Sequence, residues 1–91
     1  VRLRIYYDAL RTYAEAYAVE RGIRFRGDGA HHELIEYLKE TRAITEDERI
    51  FLQELRETRN KNTYEGKEVP EEYFERKQFE IERLIKKLKE L

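Results

Sequence analysis

The stretch LQELRETRNKNTYEG, residues 52–66, gathers Arg59, Asn60, Lys61, Asn62 and Tyr64 into a short run of side chains that can surround an anion. A guanidinium offers five donors in a planar fork that fits phosphate or carboxylate, and an ammonium adds a point charge. Asparagine amides can orient such a ligand. A phenol, with an ordinary pKa near ~10, can donate a proton or hydrogen bond but cannot serve as a base at neutral pH. The groups that titrate near pH 7 are His31 and His32.

Position gives Arg59 its interest. At ~100° per residue, Glu48, Phe51, Leu52, Leu55, Thr58, Arg59 and Asn62 share one side of a helix, so an apolar face turns polar at its end. An inward guanidinium costs several kcal/mol unless its donors are satisfied or a wet cleft opens beside it. The plainer reading is that Arg59 snorkels to water or pairs with one of the many carboxylates.

Four helices must position these groups. Residues 3–21 place Leu3, Tyr6, Tyr7, Leu10, Tyr13, Ala14 and Tyr17 on one face, while a second stripe of Ile5, Ala9, Thr12 and Ala16 asks for a close neighbour. Arg4, Asp8, Arg11 and Glu15 share the remaining face. Gly22 suits the left-handed residue that ends this helix. The connector IRFRGDG puts Arg24 and Arg26 on a loop, and Asp28 is expected to cap a second helix with His31, Leu34, Ile35 and Leu38 inward. His31 reads either as a catalytic or phosphate-binding group near that helix's N-terminus or as a histidine bonded to backbone.

Thr45-Glu46-Asp47-Glu48 is a capping box that opens the third helix, which is expected to fray or stop across residues 60–66 as helix propensity falls. Pro70 suits the first turn of a fourth helix, with Glu71 and Glu72 complementing its dipole. Tyr73, Phe74, Ile81, Leu84, Ile85, Leu88 and Leu91 form its core stripe, and Phe79 points nearly the other way. The expected fold is an all-α, antiparallel four-helix bundle in one domain, residues 1–91.

Composition narrows the function. Charged residues make up 43% of 91, consistent with long solvated helices, and 19 basic against 20 acidic residues leave a net charge of −1. Such a chain has no global positive field for nucleic acid, so any RNA contact must be a local patch. With no cysteine and no histidine–carboxylate spacing of a metal site, neither metal nor cofactor is expected. No apolar run approaches the ~20 residues of a membrane span, and the chain is expected to be soluble and cytoplasmic. It begins at Val1, already in a helical pattern and without methionine, which suggests residues upstream.

The order of these features resembles the HEPN superfamily of all-α domains, which includes many ribonuclease toxins. YYDALRTYAEAYAVERGIRF is similar to the family's central aromatic and alanine-rich helix ending in glycine, and GDGAHHELIEYL to the helix that follows. RETRNKNTYEG stands where the family carries Arg, commonly Asn, and then His. Arg59 and Asn60 match, while Tyr64 occupies the histidine position. Arg26 and His31 have the same spacing but lie in a connector before another helix, so the motif is not transferred to them. The helix that usually precedes the central one has no counterpart.

The resemblance implies a homodimer whose facing arginines and histidines cut RNA without metal, by attack of the 2′-hydroxyl on the adjacent phosphate. It implies Arg59 as the phosphate ligand and Asn60 as its companion. Tyr64 is a catalytic candidate only as a donor, with His31 or His32 as substitutes for the base. Lys61, Asn62 and His31 are the substrate-binding candidates. A regular helix would set Arg59 and Tyr64 ~140° apart, so joint work by both needs a helix break or a second copy.

Three functions fit: a metal-independent endoribonuclease toxin, a non-catalytic HEPN module that binds RNA, a nucleotide or a nucleotidyltransferase-type antitoxin, and a structural oligomerisation bundle.

Overall fold

The computed structural model consists of α1 (Arg2–Glu20), α2 (Ala30–Glu40), α3 (Glu46–Glu65) and α4 (Glu71–Lys89). It describes the backbone of residues 2–65 and 71–91, and the side chains of residues 4–61 and 72–91. Among the described residues every regular element is helical, and no helix is long and apolar enough to cross a membrane. The heaviest packing joins α1 to α4 and α2 to α3, and α1 also meets both α2 and α3.

The apolar stripes read from the sequence supply the core, with Tyr6, Tyr13, Tyr73 and Ile85 half-buried against it and the Leu3 side chain outside the described residues. Tyr7, Leu10, Ala14 and Tyr17 of α1 are buried with Leu34, Ile35 and Leu38 of α2. Phe51, Leu52 and Leu55 of α3 and Phe74, Ile81, Leu84 and Leu88 of α4 complete the cluster. Most of the second stripe of α1 is uncovered among the described residues: Ile5 is 63% exposed, Thr12 and Ala16 are exposed as well, and Ala9 is half-buried. On α4, Phe79 faces solvent as expected, at 78% exposure. Leu91 does not join the core; it lies beyond the last helical residue and is exposed, since no further turn carries it back to the apolar face.

Helix ends follow local chemistry in most places. Gly22 takes φ +78°, and the Ile23 and Gly22 amides donate to the Ala18 and Val19 carbonyls, closing α1 in a Schellman motif. At the start of α3, the Thr45 amide donates to Glu48 Oε1 at 2.8 Å, and the Glu48 amide donates to Thr45 Oγ1 at 3.2 Å. Both halves of the capping box are made.

One cap differs from the expectation. Asp28 does not cap α2: Gly29, at φ +79°, is the capping residue and no side chain bonds the first turn. A left-handed Gly29 turns the chain so that the helix begins one residue too late for the Asp28 carboxylate. The end of α3 falls inside the stretch expected to fray or stop, with the helix carried as far as Glu65. Nucleation is the costly step, and a few weak formers at ~0.7 kcal/mol each do not stop a helix already propagated from a good cap. The first-turn role of Pro70 and the ending at Gly66 fall outside the described residues.

α2 also ends in a Schellman motif, with the Ala43 amide donating to Leu38 O and the Arg42 amide to Lys39 O. Its left-handed residue is Arg42, at φ +65°, where a Cβ costs about 1–2 kcal/mol. Arg42→Gly relieves that strain and loses part of the gain to the greater freedom of an unfolded glycine. The variant is expected to be about 0.5–1 kcal/mol more stable in urea unfolding; a destabilised variant would contradict the assigned turn.

Candidate anion site

Arg59 occupies the inward position its spacing indicates. Its side chain is 14% exposed, Nη2 lies 3.4 Å from Asp8 Oδ1 of α1, and its guanidinium carbon sits 6.0 Å from the centre of the Tyr7 ring. Pairing with a carboxylate and stacking near an aromatic face together explain how the charge is tolerated there. Thr58, one position earlier, donates to the Glu54 carbonyl and meets the Tyr73 hydroxyl at 3.4 Å.

Two further arginines and a histidine join it. Arg11 of α1 directs Nη1 at His31 Nε2 of α2 at 3.3 Å, and the His31 ring lies 6.5 Å from the Tyr7 ring. Arg56 of α3, with a side chain 19% exposed, adds its charge to the same neighbourhood. Tyr7 and Arg11 are one helical turn apart on α1, as are Arg56 and Arg59 on α3, so each helix presents its pair to the seam.

The field in this seam is positive. Burial raises the Tyr7 phenol to about 12, working against Arg56, Arg11 and Arg59, which favour the phenolate, with Asp8 as the carboxylate opposing them. Burial lowers the His31 pKa from its ordinary value, and Arg11, Arg59 and Arg56 push the same way against Glu15. Each ring therefore feels three cations and one carboxylate. Two carboxylates lie on the outer side: Glu15 and Glu57 pair with Arg11 and Arg56 at 3.3 and 3.7 Å and are more than half exposed.

Donors are left over. The Nε atoms of Arg11 and Arg59 are buried and have no hydrogen-bond acceptor among the described residues. Arg11 Nε is within ion-pair distance of Glu15 yet misses hydrogen-bond alignment. A guanidinium cannot accept a hydrogen bond, so Nε2 of His31 must accept from Arg11 and the neutral ring carries its proton on Nδ1. The gap behind this cluster, lined by Tyr7, Leu10, Arg11 and His31 among others, measures about 10 Å³. That is room for a single water at most, so a larger anion must approach from outside.

The remaining sequence candidates divide. Asn60 is half-buried and Lys61 is exposed, ~100° and ~200° around α3 from Arg59, so neither shares its direction. The side chains of Asn62 and Tyr64 lie outside the described residues. The α3 backbone is helical through both, which leaves positions 59 and 64 ~140° apart within one copy. His31 is half-buried and bonded to a side chain, not to backbone, and His32 is exposed. Tyr7, Asp8, Arg11 and Arg56 were not singled out by the sequence. The available signal was the pairing of polar positions one turn apart on α1 and α3. No group of three or more His, Asp or Glu among the described residues is placed to hold a metal ion.

The depressed His31 pKa has a measurable consequence. Its neutral form stabilises the fold above the unfolded value of 6.5, and that contribution is lost as the pH falls through the lower folded value. Proton NMR titration is expected to show His31 titrating below 6.5, with Arg11→Gln moving it upward; a value at or above 6.5 would contradict the described seam.

No protein-family model, no curated protein and no solved structure matches this chain.

Proposed function

We propose that the chain is an RNA-directed protein of HEPN type, an antiparallel four-helix bundle whose arginine seam holds a phosphodiester and whose His31 takes the proton of the neighbouring 2′-hydroxyl. The observation that carries this reading is the positive charge of Arg11, Arg56 and Arg59 acting together on Tyr7 and His31, with buried Nε atoms on Arg11 and Arg59 that make no hydrogen bond among the described residues. Phosphate oxygens match those donors in charge and in fork geometry.

Chemistry without metal follows from the same groups. A phosphate that draws Arg11 away from His31 exposes the Nε2 lone pair. The freed base accepts the 2′-hydroxyl proton, the 2′-oxygen attacks phosphorus, and the bond to the 5′-oxygen breaks. The products are a 2′,3′-cyclic phosphate and a 5′-oxygen that takes its proton from solvent. Arg59 and its neighbours stabilise charge on the phosphorane, the kind of donor whose loss costs ~10²–10³ in rate. Proton transfer by His31 is of a class worth ~10²–10⁴.

In this reading Arg59 takes the part of the motif arginine, and a homodimer would bring a second copy of residues 59–64 toward the seam. A toxin role with a nucleotidyltransferase-type antitoxin belongs to this proposal. The Asp8–Arg59 pair favours a second reading, in which the cluster is already partly neutralised and binds RNA without cutting it.

The test incubates the chain with single-stranded RNA in EDTA and follows both cleavage and binding. Wild type is expected to leave cyclic phosphate ends, Arg59→Ala to lose at least about a hundredfold in rate, and His31→Ala to lose a similar factor. Cleavage at wild-type rate in Arg59→Ala would remove the role given to Arg59. Binding without cleavage selects the second reading, and neither binding nor cleavage overturns both.

A further inference from the structure

Beside the arginine seam runs a groove of about 360 Å³ between the C-terminal half of α1, the connector to α2, and the first turns of α2. Its apolar lining comes from Ala18, Val19, Ile23 and Leu34. Phe25 stands at its edge, braced by a tilted contact with Tyr37 at 5.7 Å between ring centres. Arg24 and Arg26 supply its positive side, and among the described residues neither takes a hydrogen-bond or ion-pair partner. The volume falls in the ~300–1,000 Å³ range of small-molecule sites.

The groove and the seam share a wall. His31 lines the groove and accepts from Arg11, and Glu15, which also lines it, is paired to Arg11 from the other side. Arg11 thus stands behind two groove residues. A ligand seated on the apolar lining can place an anionic end against His31, with the charge of Arg11 behind it and Arg24 and Arg26 facing any phosphate further along the chain.

The geometry points to a nucleotide subsite: one nucleoside monophosphate unit, free or within an RNA strand, with its base on the lining between Val19 and Phe25 and its phosphate toward the Arg11–His31 edge. Flat, apolar-faced bases stacked on aromatic and aliphatic side chains beside a positive rim are the usual means of holding single-stranded RNA. This assignment rests on the RNA-directed reading for its strand form, while the free nucleotide tests the groove by itself. It makes the groove the place where base preference is set, next to the phosphate held by the seam.

The experiment titrates the full chain, labelled with ¹⁵N, with adenosine monophosphate and separately with inorganic phosphate, and measures anisotropy of a labelled single-stranded RNA. Val19→Trp fills the groove from a position already 42% exposed, and Arg24→Ala/Arg26→Ala removes the rim charges; thermal melts check that each variant folds. Adenosine monophosphate is expected to bind at least about tenfold tighter than phosphate and to shift the amides of Val19, Ile23 and Ala30. Val19→Trp should lower that affinity about tenfold while leaving phosphate binding unchanged, and the double variant should weaken RNA binding. Equal affinity for nucleotide and phosphate, or a Val19→Trp chain that binds nucleotide normally, overturns the subsite. RNA binding that depends on Arg59 but ignores Val19→Trp sinks the subsite and leaves the RNA reading standing. Nucleotide bound in the groove by a chain that neither binds nor cuts RNA does the reverse.

Discussion

Three guanidinium charges act on one buried tyrosine ring, and the helices around it are arranged so that this concentration of charge is tolerable. Arg59 reaches Tyr7 from α3, Arg11 reaches the same region from α1, and Arg56 adds a third charge. Like charges brought together at low exposure repel one another more than they would in water, so the seam must be held by the packing of the helices that bear it. Tyr7, Leu10, Leu52 and Leu55, all buried within a turn or so of these arginines, are that packing.

α1 touches each of the other helices, and its composition reflects the demand. Its aromatic face supplies core, its Asp8 and Arg11 supply the polar seam, and its Ala18 and Val19 line the adjoining groove. Function and stability therefore draw on different faces of one element. Glu15 and Glu57 offset Arg11 and Arg56 from the outside, where solvent screens them, while Asp8 meets Arg59 within the seam and the guanidinium groups lie inward, where their donors are harder to satisfy. An arrangement of this polarity stabilises the fold less than an apolar seam would and leaves a place for an incoming anion.

Much of the fold was legible because it is local. The capping box at Thr45, the left-handed Gly22 and the apolar stripes each depend on a few neighbours in sequence, and the structure realises them. Asp28 misled because a side chain of good capping type is outcompeted when the next glycine turns the backbone first. Falling helix propensity over residues 60–66 bracketed the end of α3 at Glu65, while the well-nucleated helix before it carried the backbone through most of that stretch. Arg59 was found from periodicity alone, since an inward charge on an apolar face stands out in one helix. Its companions were not: Asp8 and Arg11 looked like a solvated face, and only the approach of α2 and α3 to α1 turns that face into a seam. Which helices meet is a tertiary fact that no single stripe encodes.

The central claim is that the seam holds an anion, and folding stability reports on it directly because a ligand bound only by the folded chain raises its melting temperature. Thermal unfolding compared in phosphate and in chloride at matched ionic strength and pH isolates specific binding from screening. For a chain of this size a gain of 1 kcal/mol corresponds to roughly 4–8 °C. A rise of that order in phosphate, lost in Arg59→Ala, is the predicted result; identical melting in the two salts would contradict it.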